Sequence, residues 1–285
     1  MKKYKTIIRS ISTIAFTGLW LVCPTVNAQD RQSASEVSVS VGGVTSSLNY
    51  EVPGADVRGG VNPNFGIDYT YYFSDYVGLS IGAEYQRYAA KAQGNDLSGA
   101  YTTTDFEGES FEFRYRLRRY EEEQKMDFVN IPLMLVFRNP EHGIYLRAGA
   151  KVGLPVSGKF TGKYNVSSSG YYPQYNGELF DPEFMGFGDF NNLRAEGDKI
   201  DLKPSCILAI EFGIMHRIGK GNFYSGLYLD YGLNDIADTK KNLVDYTVTD
   251  TGAGFTHNSI LNSDNVGEIK TRAFGVKLRY SFLNF

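Results

Sequence analysis

Between residues 143 and 158 the chain alternates strictly. Ile144, Leu146, Ala148, Ala150, Val152, Leu154 and Val156 fall on one face of an extended backbone, and Tyr145, Arg147, Gly149, Lys151, Gly153 and Ser157 on the other. Successive side chains of a strand point to opposite faces, so a period of two specifies a sheet with one apolar and one polar side. The pattern recurs. Cys206, Leu208, Ile210, Phe212 and Ile214 oppose Ser205, Ala209, Glu211 and Gly213, and Phe274, Val276, Leu278, Tyr280 and Phe282 oppose Thr271, Ala273, Gly275, Lys277, Arg279 and Ser281. Eight such stretches are expected near residues 36–48, 62–74, 76–90, 126–138, 143–158, 201–217, 222–233 and 268–283. No helix of useful length is visible between them.

The connections alternate between short and long. Phe73–Tyr76, Arg138–Gly143 and Arg217–Asn222 are tight and rich in Gly, Pro, Asn and Asp. Residues 49–61, 91–125, 159–200 and 234–267 form much longer links. Short turns at one end and long loops at the other are the pattern of outer-membrane barrels, with the turns in the periplasm and the loops outside. Lipid offers no hydrogen-bond partner, so a sheet inside it must close on itself and leave no edge. The expected fold is all-β: an eight-stranded antiparallel transmembrane barrel over residues 29–285. A soluble two-sheet sandwich is the competing reading, because alternation also marks any half-buried sheet.

The N-terminus supplies the route. Lys2, Lys3, Lys5 and Arg9 precede the apolar stretch Ile11–Val22, and Val26-Asn27-Ala28 offers compact residues where a signal peptidase reads. Residues 1–28 are therefore expected to be a Sec signal peptide cut before Gln29. The bulky Val22 directly before Cys23 does not suit a lipidation site. Cleavage leaves Cys206 as the one cysteine, too few for a disulfide scaffold, and no Cys/His spacing suits a metal. It also leaves 25 basic residues against 32 acidic ones, a net −7 that argues against nucleic acid as a partner. A helical membrane protein is excluded for the sequence after the signal: the clearest uninterrupted apolar run, Ile131–Phe137, has seven residues, with Pro132 inside it, where a spanning helix needs about 20.

The polar face carries Asp68, Glu84, Glu211 and Asp230 together with Arg147, Lys151, Lys277 and Arg279. Eight strands enclose an interior just wide enough for side chains. Unpaired charges there are costly, so a neutralised ion-pair network filling the lumen is expected, with Lys151–Glu211 as one trial pair. A narrow conducting pore is the alternative. Glycines 66, 82, 149, 153, 213, 226 and 275 share this face and are expected to make room for the long charged groups. Pro132 cannot donate to a ladder, so a bulge is expected there. Phe282 is read as the last lipid-facing residue, with the out-of-phase Phe285 left without a role.

Several stretches resemble the outer-membrane β-barrel family typical of Bacteroidota, which includes PorT-like and OmpA-like barrels. They are Phe65–Tyr69 with Tyr71–Leu79, Asn130–Leu133, Gly149–Lys159 and Tyr228–Asn234. The resemblance implies a barrel in the bacterial outer membrane, placed there by the barrel-assembly machinery and surrounded by lipid that includes lipopolysaccharide. It implies no catalytic residue, cofactor or metal, and the peptidoglycan-binding domain that some relatives carry after the barrel is not expected here.

Function is then sought in the loops. The third long one holds Tyr164, Tyr171, Tyr172, Tyr175, Phe184 and Phe187. Exposed rings stack on sugars and anchor protein partners, so these six are candidates for a glycan or protein site. The other reading is a loop folded on itself over the barrel mouth, or an aromatic girdle at the membrane boundary. In the second long loop the first half of Phe111–Glu123 alternates and is expected to extend a hairpin above the membrane, and its Arg114, Arg116, Arg118 and Arg119 adjoin Glu121–Glu123. The guanidinium groups either bind lipopolysaccharide phosphates or pair with the acids. Of three histidines, His142 and His216 fall in expected periplasmic turns. His257 lies with Ser259 in the fourth long loop, with no strand to position it, so a lipid-modifying enzyme is the remotest reading. Asn234–Asp238 and Asp245–Asp250 lack the full calcium-loop pattern. The expected role is structural or interactive, through the surface loops.

Overall fold

The structure, a computed structural model, describes residues 35–197, 200–238, 241–249, 252–264 and 266–284. The export signal, Cys23 and Phe285 lie outside the described residues. Eight long strands build the frame: β1 (Ser35–Asn49), β2 (Pro63–Tyr72), β3 (Val77–Gly94), β4 (Ser110–Asn139), β5 (Ile144–Tyr172), β6 (Ser205–Ile218), β7 (Gly221–Gly232) and β8 (Lys270–Asn284). Each pairs antiparallel with its neighbours in sequence, and β1 pairs with β8 through partners such as Val41 and Leu278. The ring is closed, so none of the eight has a free edge. Short turns join β2 to β3, β4 to β5 and β6 to β7; the latter two use Gly143 and Gly219, both at φ 63°, the left-handed region glycine enters without steric cost.

The polarity of the ring is inverted relative to a soluble protein. Phe65, Ile67, Leu79, Ile81, Leu133, Leu135, Phe137, Leu146, Leu208, Ile210, Phe212, Phe274 and Val276 are all exposed on the outside, while Asp68, Glu84, Arg147, Lys151, Glu211, Asp230, Lys277 and Arg279 are all buried inside. On β4 the apolar outer face runs from Val129 to Phe137, nine residues; tilted strands of about 9–11 residues cross a bilayer.

Beyond that band, β3, β4 and β5 do not end. The segments 91–125 and 159–200 are largely strand: the alternating start of 111–123 does extend the sheet above the band as expected, and the rest, expected to be loop, is strand as well. β4 and β5 stay paired from Asn139–Ile144 up to Glu112–Tyr171. Strand Leu97–Thr104 pairs with the far end of β4, and Gly188–Gly197 with that of β5. In this upper part the polarity reverses again. On β4, Phe111, Phe113, Tyr115, Leu117 and Tyr120 turn inward and are buried, while Arg116, Arg119, Glu123, Lys125 and Asp127 face out. Leu48, Tyr50, Val166, Phe187, Ile236, Val244, Tyr246, Ile260 and Ile269 complete one apolar core. It is roofed by the hairpin Val244–Thr249/Gly252–His257 and a short 3-10 turn at Ile260–Asn262.

Three sequence expectations need correction here. Pro132 causes no bulge: β3 and β4 keep one register on both sides of it, and pairing lapses between the Ile81–Leu133 and Glu84–Asn130 partners. Two residues without ladder bonds absorb the missing N–H. The bulges of β4 and β5 lie instead at Leu117/Arg119, at Asp127/Phe128 and, against strand Gly188–Gly197, at Tyr164/Val166. Second, the lumen glycines do more than leave space. A Cβ on Gly149 would press into the Leu133 carbonyl oxygen, and one on Gly213 into that of Ser225. Side chains there would force neighbouring strands apart. Third, His216 lies in β6, not in a turn.

Candidate functional site

The inside of the ring holds charge in layers. In one cluster the Glu84 carboxylate accepts from Lys151 Nζ at 2.8 Å and from Lys277 Nζ, and Lys151 also donates to Asp230 at 2.7 Å. In the other, Arg279 forks onto both oxygens of Glu211 at 2.8 Å each and its Nε lies 3.3 Å from Asp68. Arg147 is 2.8 Å from Asp68 and donates to Ser80 Oγ at 2.7 Å. Each cluster holds two acids and two bases, all eight being the residues singled out in the sequence. The trial pair Lys151–Glu211 is not formed, because the two sit in different clusters; alternation places residues on a face but says nothing of their height along it. Sequence reading missed a third layer at the turn end. There Glu36 is 2.6 Å from Arg138, accepts from Tyr224 and Asn222, and Arg138 covers the Tyr72 ring at 3.5 Å. Glu36 stands in the period-two run of β1, and its inward phase was the available signal. Between the layers remains a cavity of about 20 Å³ bordered by Glu84, Pro132, Arg147 and Lys151, room for a single water.

Above the ionic layers a further carboxylate is buried. Glu122 accepts from Tyr120 Oη, Gln124 Nε2 at 2.9 Å and Ser259 Oγ at 2.6 Å, with the Ile260 backbone N–H at 3.2 Å. His257, expected to lack a positioning strand, ends strand Gly252–His257 with its ring stacked on Tyr164 at 4.3 Å and its Nε2 3.8 Å from Glu122. Ser259 Oγ is thus directed to the carboxylate and not to the imidazole.

The six aromatic candidates separate by position. Tyr164, Tyr172 and Phe187 are buried and cannot meet a ligand; they are core, which corrects their reading as a surface site. Phe111 stacks on Tyr172 and meets Phe187 and Tyr246 edge-on, so burying these rings builds the upper core. Tyr171 is half-buried under Arg114, whose guanidinium lies 4.5 Å from the ring centre. Tyr175 and Phe184 are exposed, at 66% and 57%, and are joined by Phe180 at 63% and by Phe106, whose ring lies 6.2 Å from that of Phe184. Phe106 comes from a different hairpin, which is why no single-loop reading groups it with the others.

Nor do the arginines pair with Glu121–Glu123. Arg114 holds Glu112 and Glu178, Arg116 holds Asp96, and Arg118 holds Asp189, while Glu121 pairs with Lys91 and Glu123 with Lys125. Partners across the sheet, or two residues along the same face of the strand, take the place of the adjoining charge run.

Burial pushes the Tyr164 and Tyr246 phenols of the upper core up to about 12. A phenol raised above its unfolded value of about 10 contributes stability that is complete below pH 10 and fades as pH climbs through 12. Alkaline titration is expected to loosen the upper core within that window. Near-ultraviolet absorbance at the tyrosinate band, followed with proteolysis, checks it; smooth titration near pH 10 with an intact upper core would contradict it.

Three similarities to known proteins accompany this geometry. The family described as outer membrane protein beta-barrel domain matches residues 27–238. Among solved structures, Ail, the attachment invasion locus protein of Yersinia pestis, in complex with the heparin analogue sucrose octasulfate, is 11% identical with a TM-score of 0.28, over 87% of this chain and 99% of its own. The outer membrane protein AlkL, determined by solid-state NMR in DMPC bilayers, is 12% identical with a TM-score of 0.35, over 91% and 95%. No curated protein matches the chain.

Proposed function

The chain belongs to the outer membrane protein beta-barrel domain family, and from that premise we propose that it is a non-catalytic surface protein. In this reading its barrel is an anchor with a filled lumen, and its rigid extracellular extension makes contacts outside the cell. One observation carries this: β4 and β5 continue at least as far outside the apolar band as within it, β4 about twice as far, and lead to exposed rings above an apolar core. A pore needs no such core. The balanced ion clusters and the small residual cavity support a closed lumen. In the same reading residues 1–28 are removed on export, the barrel is of the Bacteroidota type, the assembly machinery inserts it, and outer-leaflet lipid, lipopolysaccharide included, surrounds the band.

The test has two arms. Purified protein in planar bilayers is expected to show no sustained conductance. A variant with Phe106, Tyr175, Phe180 and Phe184 changed to serine is expected to lose retention on arrays of glycans and cell-surface proteins that hold the parent chain. Stable open channels would favour the narrow pore; retention identical in the variant would remove the rings from the contact.

A further inference from the structure

The exposed rings stand in a chemically one-sided place. Three segments meet at the far end of the extension: 97–112, 173–190 and 242–256. Tyr175 Oη donates to Glu109 at 2.8 Å, Gln174 to the Ser110 carbonyl at 3.1 Å, and the Ala253 N–H to the Phe184 carbonyl at 2.7 Å. None of the three segments contains a lysine or an arginine, and together they contain ten carboxylates. Several of these are already engaged. Glu112 and Glu178 hold Arg114, Asp189 holds Arg118, and Asp105 accepts from Tyr172 and from the backbone of Glu107 and Glu109. Glu107, Asp181 and Glu183 have no ion-pair partner among the described residues, and they lie next in sequence to Phe106, Phe180 and Phe184.

We infer that this crown docks a cationic polypeptide segment in which lysine or arginine alternates with apolar residues. The argument is complementarity of charge and shape together. Rings exposed in a group, on a protein that has an apolar core available for them, mark a contact surface. Carboxylates between the rings set the sign of the partner. A guanidinium or ammonium group lying over Tyr175 or Phe184 gains from the ring face and from the neighbouring carboxylate at once. Anionic polymers are repelled from the same place, and a neutral glycan gains nothing from the acids. The bases nearest the crown are already engaged: Arg114 by Glu112 and Glu178, Arg116 by Asp96 and Arg118 by Asp189, while Lys125 pairs with Glu123 lower on β4. This inference rests on the surface-contact reading and adds the partner's chemistry.

The probe is a synthetic twelve-residue peptide of repeating Lys-Leu-Arg-Trp, titrated calorimetrically against the full chain in a neutral maltoside detergent, with empty micelles subtracted. A Glu-Leu-Glu-Trp repeat and heparin serve as comparison ligands. Two crown variants are used: F106S/Y175S/F180S/F184S, and E107Q/D181N/E183Q. A third, E123Q/E196Q, removes carboxylates from the shaft. Unheated gel mobility confirms that each is folded. The cationic peptide is expected to bind, and both crown variants to weaken it about tenfold or more while the shaft variant leaves it unchanged. Raising salt from about 50 mM to about 300 mM weakens it as exposed charges are screened. Absence of binding, equal binding of the acidic peptide or heparin, or unchanged binding by both crown variants would overturn the inference. Heparin binding that the crown variants lose would overturn the partner's chemistry alone; silence of every probe, with array retention unaffected by the ring substitutions, would end the surface-contact reading as well.

Discussion

Glu84→Leu is expected to destabilise the barrel by about 3–5 kcal/mol, because it strands a buried cation. Glu84 is the carboxylate shared by Lys151 and Lys277; Lys151 retains Asp230, but Lys277 is left with the Tyr228 ring, 4.8 Å from its Nζ. Removing Lys277 as well leaves the neutral pair Lys151–Asp230, so Glu84→Leu/Lys277→Leu is expected to be more stable than Glu84→Leu alone. Replacing a whole buried pair with apolar groups is often neutral, whereas breaking one is costly. The two clusters also make a second forecast: Lys151→Leu and Glu211→Leu, whose partners differ, should add to within about 0.5 kcal/mol. Urea titration read by the folded and unfolded bands of unheated gels measures all of these. A double variant no more stable than Glu84→Leu would mean the lysine is not what the carboxylate compensates.

The same β-ladder works in two solvents, and its side chains record the passage. Within the bilayer the outside is apolar and the inside ionic; above it the outside is charged and the inside apolar. The crossover on β4 is marked by Asp127, which binds Arg87 through Nε at 2.7 Å and accepts from Tyr85 at the same distance. An acid, a base and a tyrosine at one level suit the wet edge of a hydrocarbon layer. Below that level the lumen charges must pair among themselves. Above it, hydrophobic burial is available to the chain as in any soluble domain.

This division explains what was legible in the residues. The lipid-crossing parts of all eight strands were readable because their alternation is unbroken, and the eight lumen charges followed from phase alone. Their pairing did not, since Lys151 and Glu211 share a face at different heights. The alternating start of 111–123 reads as an extension of the sheet, but the rest of the upper strands reads as loop because bulges break the period. On β5 the buried set is odd-numbered through Gly153 and even-numbered from Gly158, a change at the bulge opposite Asp127/Phe128. On β4 it is odd through Leu117 and even from Tyr120. A one-residue insertion moves every later side chain to the other face of the count, so a strict period-two search stops there. The aromatic richness of 159–200 was visible, but which rings point inward depends on those phase changes and on Phe111 and Tyr246 arriving from distant segments.

Phe111→Ala is expected to cost about 3–5 kcal/mol, and to cost it locally. The ring is fully buried, stacks on Tyr172 at 5.2 Å, and meets Phe187 at 5.6 Å and Tyr246 at 5.1 Å, rings drawn from three other segments of the extension. Its loss opens a cavity where the roof hairpin and the 173–190 segment rest. The two ionic clusters lie well below and take no residue from β4; they are held by their own pairs on the other strands, which Phe111 does not touch. The folded gel band should therefore persist while protease added outside the cell cuts within 173–190 and 242–256. Phe137→Ala on the same strand is the contrast: that ring faces outward at 43% exposure, so its removal leaves no cavity and should leave protease resistance of the extension unchanged. If the two variants behave alike, the extension and the barrel unfold as one unit, and the idea of a separate water-facing core on a lipid-facing anchor fails.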